Sequence, residues 1–428
     1  MNRLIALVGL VAAGLLSLPV PAPGQQQTTI ETLDVFLDCQ GVFCDFDHFR
    51  REITFVNWVR DRRDAHVHVL ATSQQTGGGG REFTFAFIGL RQFADRSDTL
   101  RYTSRNTDTE AEVRDGQVHI IKLGLMRYVA QTQARERLTI SSRIAGAAAP
   151  VGPVDDPWDY WVFRTSIGGS VDGESLQQSL SVNGSFSASR ITEALKITLR
   201  TNGRYSRSEF ELDSVTTYLD TQKNLVADGL VAFSLGPHWS AGIQTSARSS
   251  TRLNLDASLE GGLALEYDLF PYTESTRRQL TFLYTAGVSA FDYEQETIFD
   301  QTSEILPKHR FEIGLQVRQP WGSVSTSLEA SQYLHDLARH QVNLSGGMQL
   351  RVFRGLQLNL FGGIGRIKDQ IYLAKAGATE EEILLRRRQL GTDYSYRANV
   401  GFSYTFGSRF SNVVNPRLGG GGGFFFFF

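Results

Sequence analysis

Apolar and polar residues alternate one by one over long runs in the second part of the chain. Leu253, Leu255, Ala257, Leu259, Gly261, Leu263, Leu265, Tyr267 and Leu269 form one row, interleaved with Asn254, Asp256, Ser258, Glu260, Gly262, Ala264, Glu266 and Asp268. Successive strand side chains point to opposite faces, so this spacing predicts a strand with one apolar and one wet face. Phe311, Ile313, Leu315 and Val317 alternate in the same way with Glu312, Gly314, Gln316 and Arg318. Further rows are Leu195, Ile197 and Leu199; Val342, Leu344, Gly346, Met348 and Leu350; and Tyr396, Ala398, Val400, Phe402, Tyr404 and Phe406. Residues 158–408 hold about twelve such strands, and even strand numbers are the rule in bacterial single-chain barrels.

The connections sort by length. The connections at one end read ITEA, GPH, DLFPYTEST, PWG and RG, four of them short, whereas residues 208–222, 293–308 and 368–393 at the other read as long polar loops. Short turns at one end and long loops at the other are the pattern of a membrane barrel. Trp158, Tyr160, Trp161, Trp239 and Trp321 all fall near the short-turn end, where an interfacial girdle belongs. Beyond the first residues no apolar run reaches the length of a membrane helix, so a closed barrel is the remaining way to cross lipid. A soluble barrel would instead turn its leucine rows inward. The expected fold is an all-β transmembrane barrel of about twelve antiparallel strands preceded by a small α+β domain.

The first residues read as a signal peptide over residues 1–24: Arg3, an apolar run over 4–18, then PVPAPG. Residues 28–135 mix periods. LDVFLDC is strand-like, and 46–63 carries Phe49, Ile53, Phe55, Val56 and Val59 at near-helical spacing. HVHVLATS and EFTFAFIGL predict two strands, and 109–130 a second helix. The glycines at 77–80 lie between the two strands, where a hairpin tip fits better than a phosphate loop, which runs into a helix and needs a Lys-Ser/Thr pair. A linker rich in Ala, Gly and Pro covers 136–157. Residues 409–428 form an extension ending in five Gly and five Phe, assigned to no fold.

With 43 basic and 45 acidic residues the charges nearly cancel, which argues against a nucleic-acid binder. The 41 Gly, 28 Phe and 14 Tyr against 11 Pro suit strands joined by tight turns. The two cysteines, Cys39 and Cys44, are read as a small disulfide loop or as two free thiols. Asp45, Asp47 and His48 follow them, but without a second pair of cysteines no metal site is assigned.

His238 and Ser240 have the two-residue spacing of the base and nucleophile in outer-membrane phospholipase A, and His335, Asp336 and His340 share one loop. The first pair falls in a short turn, and the second lacks acidic residues on an opposite rim. No catalytic residue, cofactor or metal is therefore expected. The candidate functional residues are the inward charges Arg200, Glu260, Glu266, Glu312, Arg318 and Arg351, which either line a narrow pore or pair with one another and plug it. AGATEEEILLRRRQL reads as a short helix with Glu–Arg i,i+4 pairs.

Asn399, Gly401, Tyr404 and Phe406 resemble the outer-membrane β-signal, though about twenty residues before the end of the sequence. On these residues and the strand pattern the chain resembles Gram-negative outer-membrane β-barrel proteins. Residues 28–135 resemble the N-terminal domain of the translocation protein TolB. The resemblance implies an outer-membrane location, outer-membrane lipid and the barrel-assembly machinery as partners, and a periplasmic N-terminal domain. The function expected is a pore for small solutes. The alternative is an envelope interaction protein that grips a periplasmic partner through 28–135; an outer-membrane hydrolase ranks below both.

Overall fold

A computed structural model describes residues 31–77, 79–139, 156–211, 217–377 and 389–415. The signal peptide, most of the linker, the helix expected over the Glu and Arg run and the Gly/Phe tail lie outside the described residues.

The N-terminal region is a five-stranded sheet of order β2-β1-β3-β4-β5, formed by β1 (Leu33–Gln40), β2 (Val56–Trp58), β3 (Val67–Gln75), β4 (Arg81–Gly89) and β5 (Ser97–Thr103). β1 runs parallel to both β2 and β3, and β3-β4-β5 is an antiparallel meander. Central β1 and β3 are buried along most of their length, so they read as apolar runs rather than alternations. Helix α2 (Glu110–Val129) starts with a capping box: the Thr109 hydroxyl accepts from the Glu112 N–H, and the Glu112 carboxylate accepts from the Thr109 N–H. Its Val118, Ile121, Leu125 and Val129 share one core with Phe83, Phe85 and Phe87 of β4, each fully buried side chain contributing about 1.5–3 kcal/mol. Gly124 is required at this contact, because a Cβ there would overlap the Phe87 ring.

The helix expected over 46–63 is shorter. Helix α1 spans only Phe46–Glu52, after which Val56 opens β2 by pairing with Leu33 of β1. The stretch Ile53-Thr54-Phe55-Val56 is β-branched or aromatic throughout and favours a strand, and its burial against β1 settles the competition. The edge strand β5 was not anticipated, since SDTLRYT has little apolar pattern to mark it.

The second sheet has twelve antiparallel strands in sequence order, the number expected. They are β6 (Trp161–Gly173), β7 (Gln177–Ile191), β8 (Leu195–Glu211), β9 (Thr217–Ser234), β10 (Trp239–Ser250), β11 (Leu255–Asp268), β12 (Arg278–Tyr293), β13 (Ser303–Gln319), β14 (Gly322–Tyr333), β15 (His340–Phe353), β16 (Leu356–Ile367) and β17 (Tyr394–Tyr404). Four of the five connections at one end, termed here the near end, are tight turns and the fifth, 269–277, is longer. The far end carries the long connections 294–302 and 368–393 beside short ones at 174–176 and 251–254. Several strands exceed expectation: β8, β9 and β13 absorb much of what reads as polar loop at 208–222 and 293–308. Polar residues on both faces at those strand ends hide them from a pattern reading.

The apolar rows face outward. Leu259, Leu263, Leu265, Val288, Ile305, Leu344 and Ile364 are all exposed, while Glu260, Ser289, Lys308 and Arg310 turn inward. One departure from a closed barrel stands out. Among the described residues no ladder joins β6 to β17, and both strands are exposed along nearly their whole length.

Candidate functional site: the lumen and its two covers

The inward rows enclose a chamber of about 750 Å3 in the far half of the barrel. Arg200 of β8 lines it and stands opposite Asp228 of β9 in register. Glu260 of β11 accepts from the Lys308 ammonium (3.4 Å) and the Ser289 hydroxyl (3.4 Å). Arg310 donates to Gln244 across the lumen at 2.8 Å. Nearer the turns, Glu266 accepts from the Tyr272 hydroxyl at 3.1 Å and from Ser240 at 3.4 Å. Glu312 stands opposite Glu329 in the β13–β14 register. Four of the expected lumen charges, Arg200, Glu260, Glu266 and Glu312, thus lie inside the barrel.

Arg318 and Arg351 do not line the chamber. Both sit at the near rim, where the N-terminal domain takes them up. Arg351 makes a two-pronged ion pair with Asp38 of β1, one prong at 2.6 Å, and donates to the Pro320 carbonyl at 3.1 Å. Asp38 is almost fully buried and also receives His68 Nε2 at 3.2 Å. Arg62 Nε donates to His68 Nδ1 at 3.1 Å, so the ring is held neutral with its proton on Nε2. Burial raises the Asp38 pKa, but the hydrogen bonds from His68 and Arg351 outweigh it and hold the carboxyl below the ordinary carboxylate value. Burial lowers the His68 pKa, against the pull of Asp38.

Further ties span the same mouth. Gln40 donates to the Gln319 carbonyl at 2.9 Å, Asp64 pairs with Arg354 at 2.7 Å, and Asp61 accepts from the Gly355 N–H at 2.9 Å. Gly41, with φ of 69°, abuts the Arg318 guanidinium: a Cβ there would lie 3.1 Å from it, and the left-handed backbone itself favours glycine. On the other side of the mouth the hairpin tip meets β7, where Ser189 donates to the Gly77 carbonyl at 3.3 Å. The glycine run is a contact point on the rim. After β17 the chain returns to the domain: Phe410 bridges Val59, Ser411 donates its N–H to the Trp58 carbonyl at 2.9 Å, and Asn412 accepts from the Trp58 N–H at 2.6 Å.

The far mouth is covered from within. Ile371 is buried with Leu306 and Tyr333, flanked by Phe291 and Tyr372. Asn254, in the left-handed conformation that Asn tolerates, donates to the carbonyls of Gln295 (2.8 Å) and Tyr372 (3.1 Å) and accepts from the Gln295 N–H (2.9 Å). Three loops meet on that one side chain. The Ile298 N–H donates to the Leu373 carbonyl at 2.9 Å, and Thr297 bridges Ala374.

Cys39 and Cys44 are joined as a disulfide with Cα atoms 6.3 Å apart, closing the loop that carries Gly41 to the rim. The histidine constellations do not assemble. Ser240 is engaged with Tyr272 and Glu266, while His238 Nδ1 lies 2.8 Å from the Asp268 carbonyl. Asp336 pairs with Arg339 at 3.2 Å, and His340 lies 3.3 Å from the Leu337 carbonyl. Among the described residues no group of three or more His, Cys, Asp or Glu is placed to hold a metal. Asn399 and Gly401 lie on exposed β17, and Phe406 beyond it stacks on Tyr404 at 5.6 Å. Asp38, His68 and Lys308 escape a sequence reading: nothing in DVFLDC or HVHV distinguishes the buried acid from its neighbours.

No protein-family description matches the chain, and no curated protein matches it. Among solved structures it is similar to the NanC porin in a rhombohedral crystal form: 10% identity, 56% of this chain and 99% of that one, TM-score 0.28. It is also similar to the translocator domain of the autotransporter NalP from Neisseria meningitidis: 7% identity, 57% of this chain and 87% of that one, TM-score 0.19. With scores this low, the fold assignment rests on the strand order and the outward apolar rows: the chain is a twelve-stranded antiparallel β-barrel protein with an α+β domain seated on its near mouth.

Proposed function

We propose that the protein is an outer-membrane channel for small solutes, closed at rest by its own N-terminal domain on the periplasmic side and by residues 369–374 on the outside. The exposed leucine, valine and isoleucine rows suit a lipid-facing surface. The observation that carries the reading is the polar chamber of about 750 Å3, lined by charges of both signs between two covers. Charges of both signs in a narrow lumen tune which ions pass. The inner cover is held largely by ion pairs and by hydrogen bonds to backbone, contacts that can exchange with water more readily than a packed core.

The test is conductance in planar bilayers of the wild-type chain beside a variant that loosens both covers, with Asp38→Ala, Asp61→Ala, Asp64→Ala and Asn254→Ala together. A closed or flickering wild type and a steadily conducting variant support a gated channel. Absence of conductance in both sinks it. The docked domain and the inward loop favour one second reading, a plugged barrel that anchors a periplasmic interaction domain. Co-purification of an envelope protein with the full chain, lost when residues 28–135 are deleted, would support that reading.

A further inference from the structure

Between the N-terminal sheet and the near rim lies a cleft of about 620 Å3 that the channel reading does not use. Arg50, Arg60, Arg62, Arg63 and Arg351 line it, against only Asp38 and Asp61. Both acids are already occupied: Asp38 by Arg351 and His68, Asp61 by the N–H groups of Gly355 and Arg63. Asp64, the next acid along, is paired with Arg354. The side chains of Arg60 and Arg63 have no acidic partner among the described residues, so the cleft carries uncompensated positive charge.

Its other wall is aromatic. Trp321 and Phe353 line the cleft and are also 47% and 49% exposed at the barrel rim, next to the outward apolar rows. Phe46 lines it from the domain side, and Phe43, in the disulfide-closed loop nearby, is 79% exposed. A soluble anion would use the guanidinium groups but gains nothing from exposed aromatic surface at a membrane interface. An anionic amphiphile uses both: arginine forks match phosphate oxygens in pairs, and aromatic rings settle at the headgroup level.

We propose that this cleft binds the phosphate headgroup of an anionic phospholipid from the periplasmic leaflet, with the acyl chains lying along Trp321 and Phe353. The inference rests on the barrel spanning a membrane. It gives the cover a second attachment, in which lipid helps to hold the domain against the rim.

The test uses the full chain, purified in detergent, with phosphatidylglycerol and phosphatidylcholine offered as competing probes and retention read by native mass spectrometry. The expected result is retention of phosphatidylglycerol about tenfold over phosphatidylcholine, a preference abolished in the Arg60→Gln/Arg63→Gln variant and unaffected by millimolar inorganic phosphate. Equal retention of both lipids, or an unchanged preference in the variant, overturns the proposal. Displacement by inorganic phosphate also overturns it, since the site is then one for a free anion. A gel shift between unboiled and boiled protein is run alongside; its absence in the wild type overturns the membrane reading itself, independently of lipid choice.

Discussion

Arg351, on the rim of the barrel, and Asp38, in the first strand of the N-terminal domain, form an ion pair across 313 residues of sequence, with the carboxylate almost wholly buried. Removing one partner of a buried pair leaves the other charge unsatisfied, at a cost of about 3–5 kcal/mol. Arg351→Ala is therefore expected to release the domain, whereas the double variant Asp38→Asn/Arg351→Met loses less because no bare charge remains. Limited proteolysis within residues 31–135 of the reconstituted protein reads the difference. Equal protection of the wild type and Arg351→Ala would show that the pair does not hold the cover.

Acid should weaken the same junction, and both groups act in one direction. His68 has its pKa lowered by burial, so unfolded chains bind its proton more readily than the fold does. Its contribution is complete above the ordinary value of 6.5 and is lost as pH falls from there toward the folded value. Asp38 is also lowered, and its contribution is complete above 3.8 and fades below that. Thermal unfolding of the N-terminal domain is expected to move to lower temperature between neutral pH and pH 5, with a smaller shift in His68→Gln. An identical pH dependence in the two proteins removes His68 from the account.

Asn254 holds three far-end loops through three hydrogen bonds. Asn254→Ala loses these bonds and places alanine in the left-handed region, costing about 1–3 kcal/mol locally. Faster protease cleavage near residues 369–374 and more frequent conductance openings are expected, with the barrel's resistance to heat unchanged.

The disulfide closes a loop with a sequence separation of 5. Loop-closure entropy for so short a ring gives about 2 kcal/mol. Cys39→Ser/Cys44→Ser should lower the unfolding midpoint of the N-terminal domain and leave the gel mobility of the barrel as it was. A change in barrel mobility would mean the loop supports the strands themselves.

β6 and β17 run in opposite directions at the two edges of the sheet, and neither finds a partner in the other. In lipid, an unpaired edge leaves backbone polar groups without hydrogen bonds, at several kcal/mol each. Cysteines introduced along β6 and β17, one pair at a time, are expected to cross-link within one chain in membranes. Cross-linking between two chains instead would mean the seam is closed by a second copy.

The barrel was legible because its outer rows keep strict alternation along most of a strand, as from Ala257 to Tyr267 in β11. Of the same row, Leu253 falls in the turn before the strand and Leu255 is buried at a bulge at its start. The two covers were not. Arg351 has the parity of a lumen residue, and only the return of the N-terminal domain turns it into a rim anchor. Ile371 and Tyr372 sit in a polar loop with no periodicity, and their burial depends on Leu306 and Tyr333, brought there by the register of other strands. The overextended helix at 46–63 failed for a related reason: its spacing fits a helix, but the partner that makes Val56 a strand residue is Leu33.

The return of residues 409–412 to the free edge of β2 has a consequence for biogenesis. Trp58 lies 354 residues before the Asn412 that accepts its N–H. The segment that completes this edge follows all twelve barrel strands, so a chain interrupted during synthesis lacks it however well its first domain has folded. The other ties of the cover reach strands made earlier, so this last one alone waits for a finished barrel and records that the final strand has arrived.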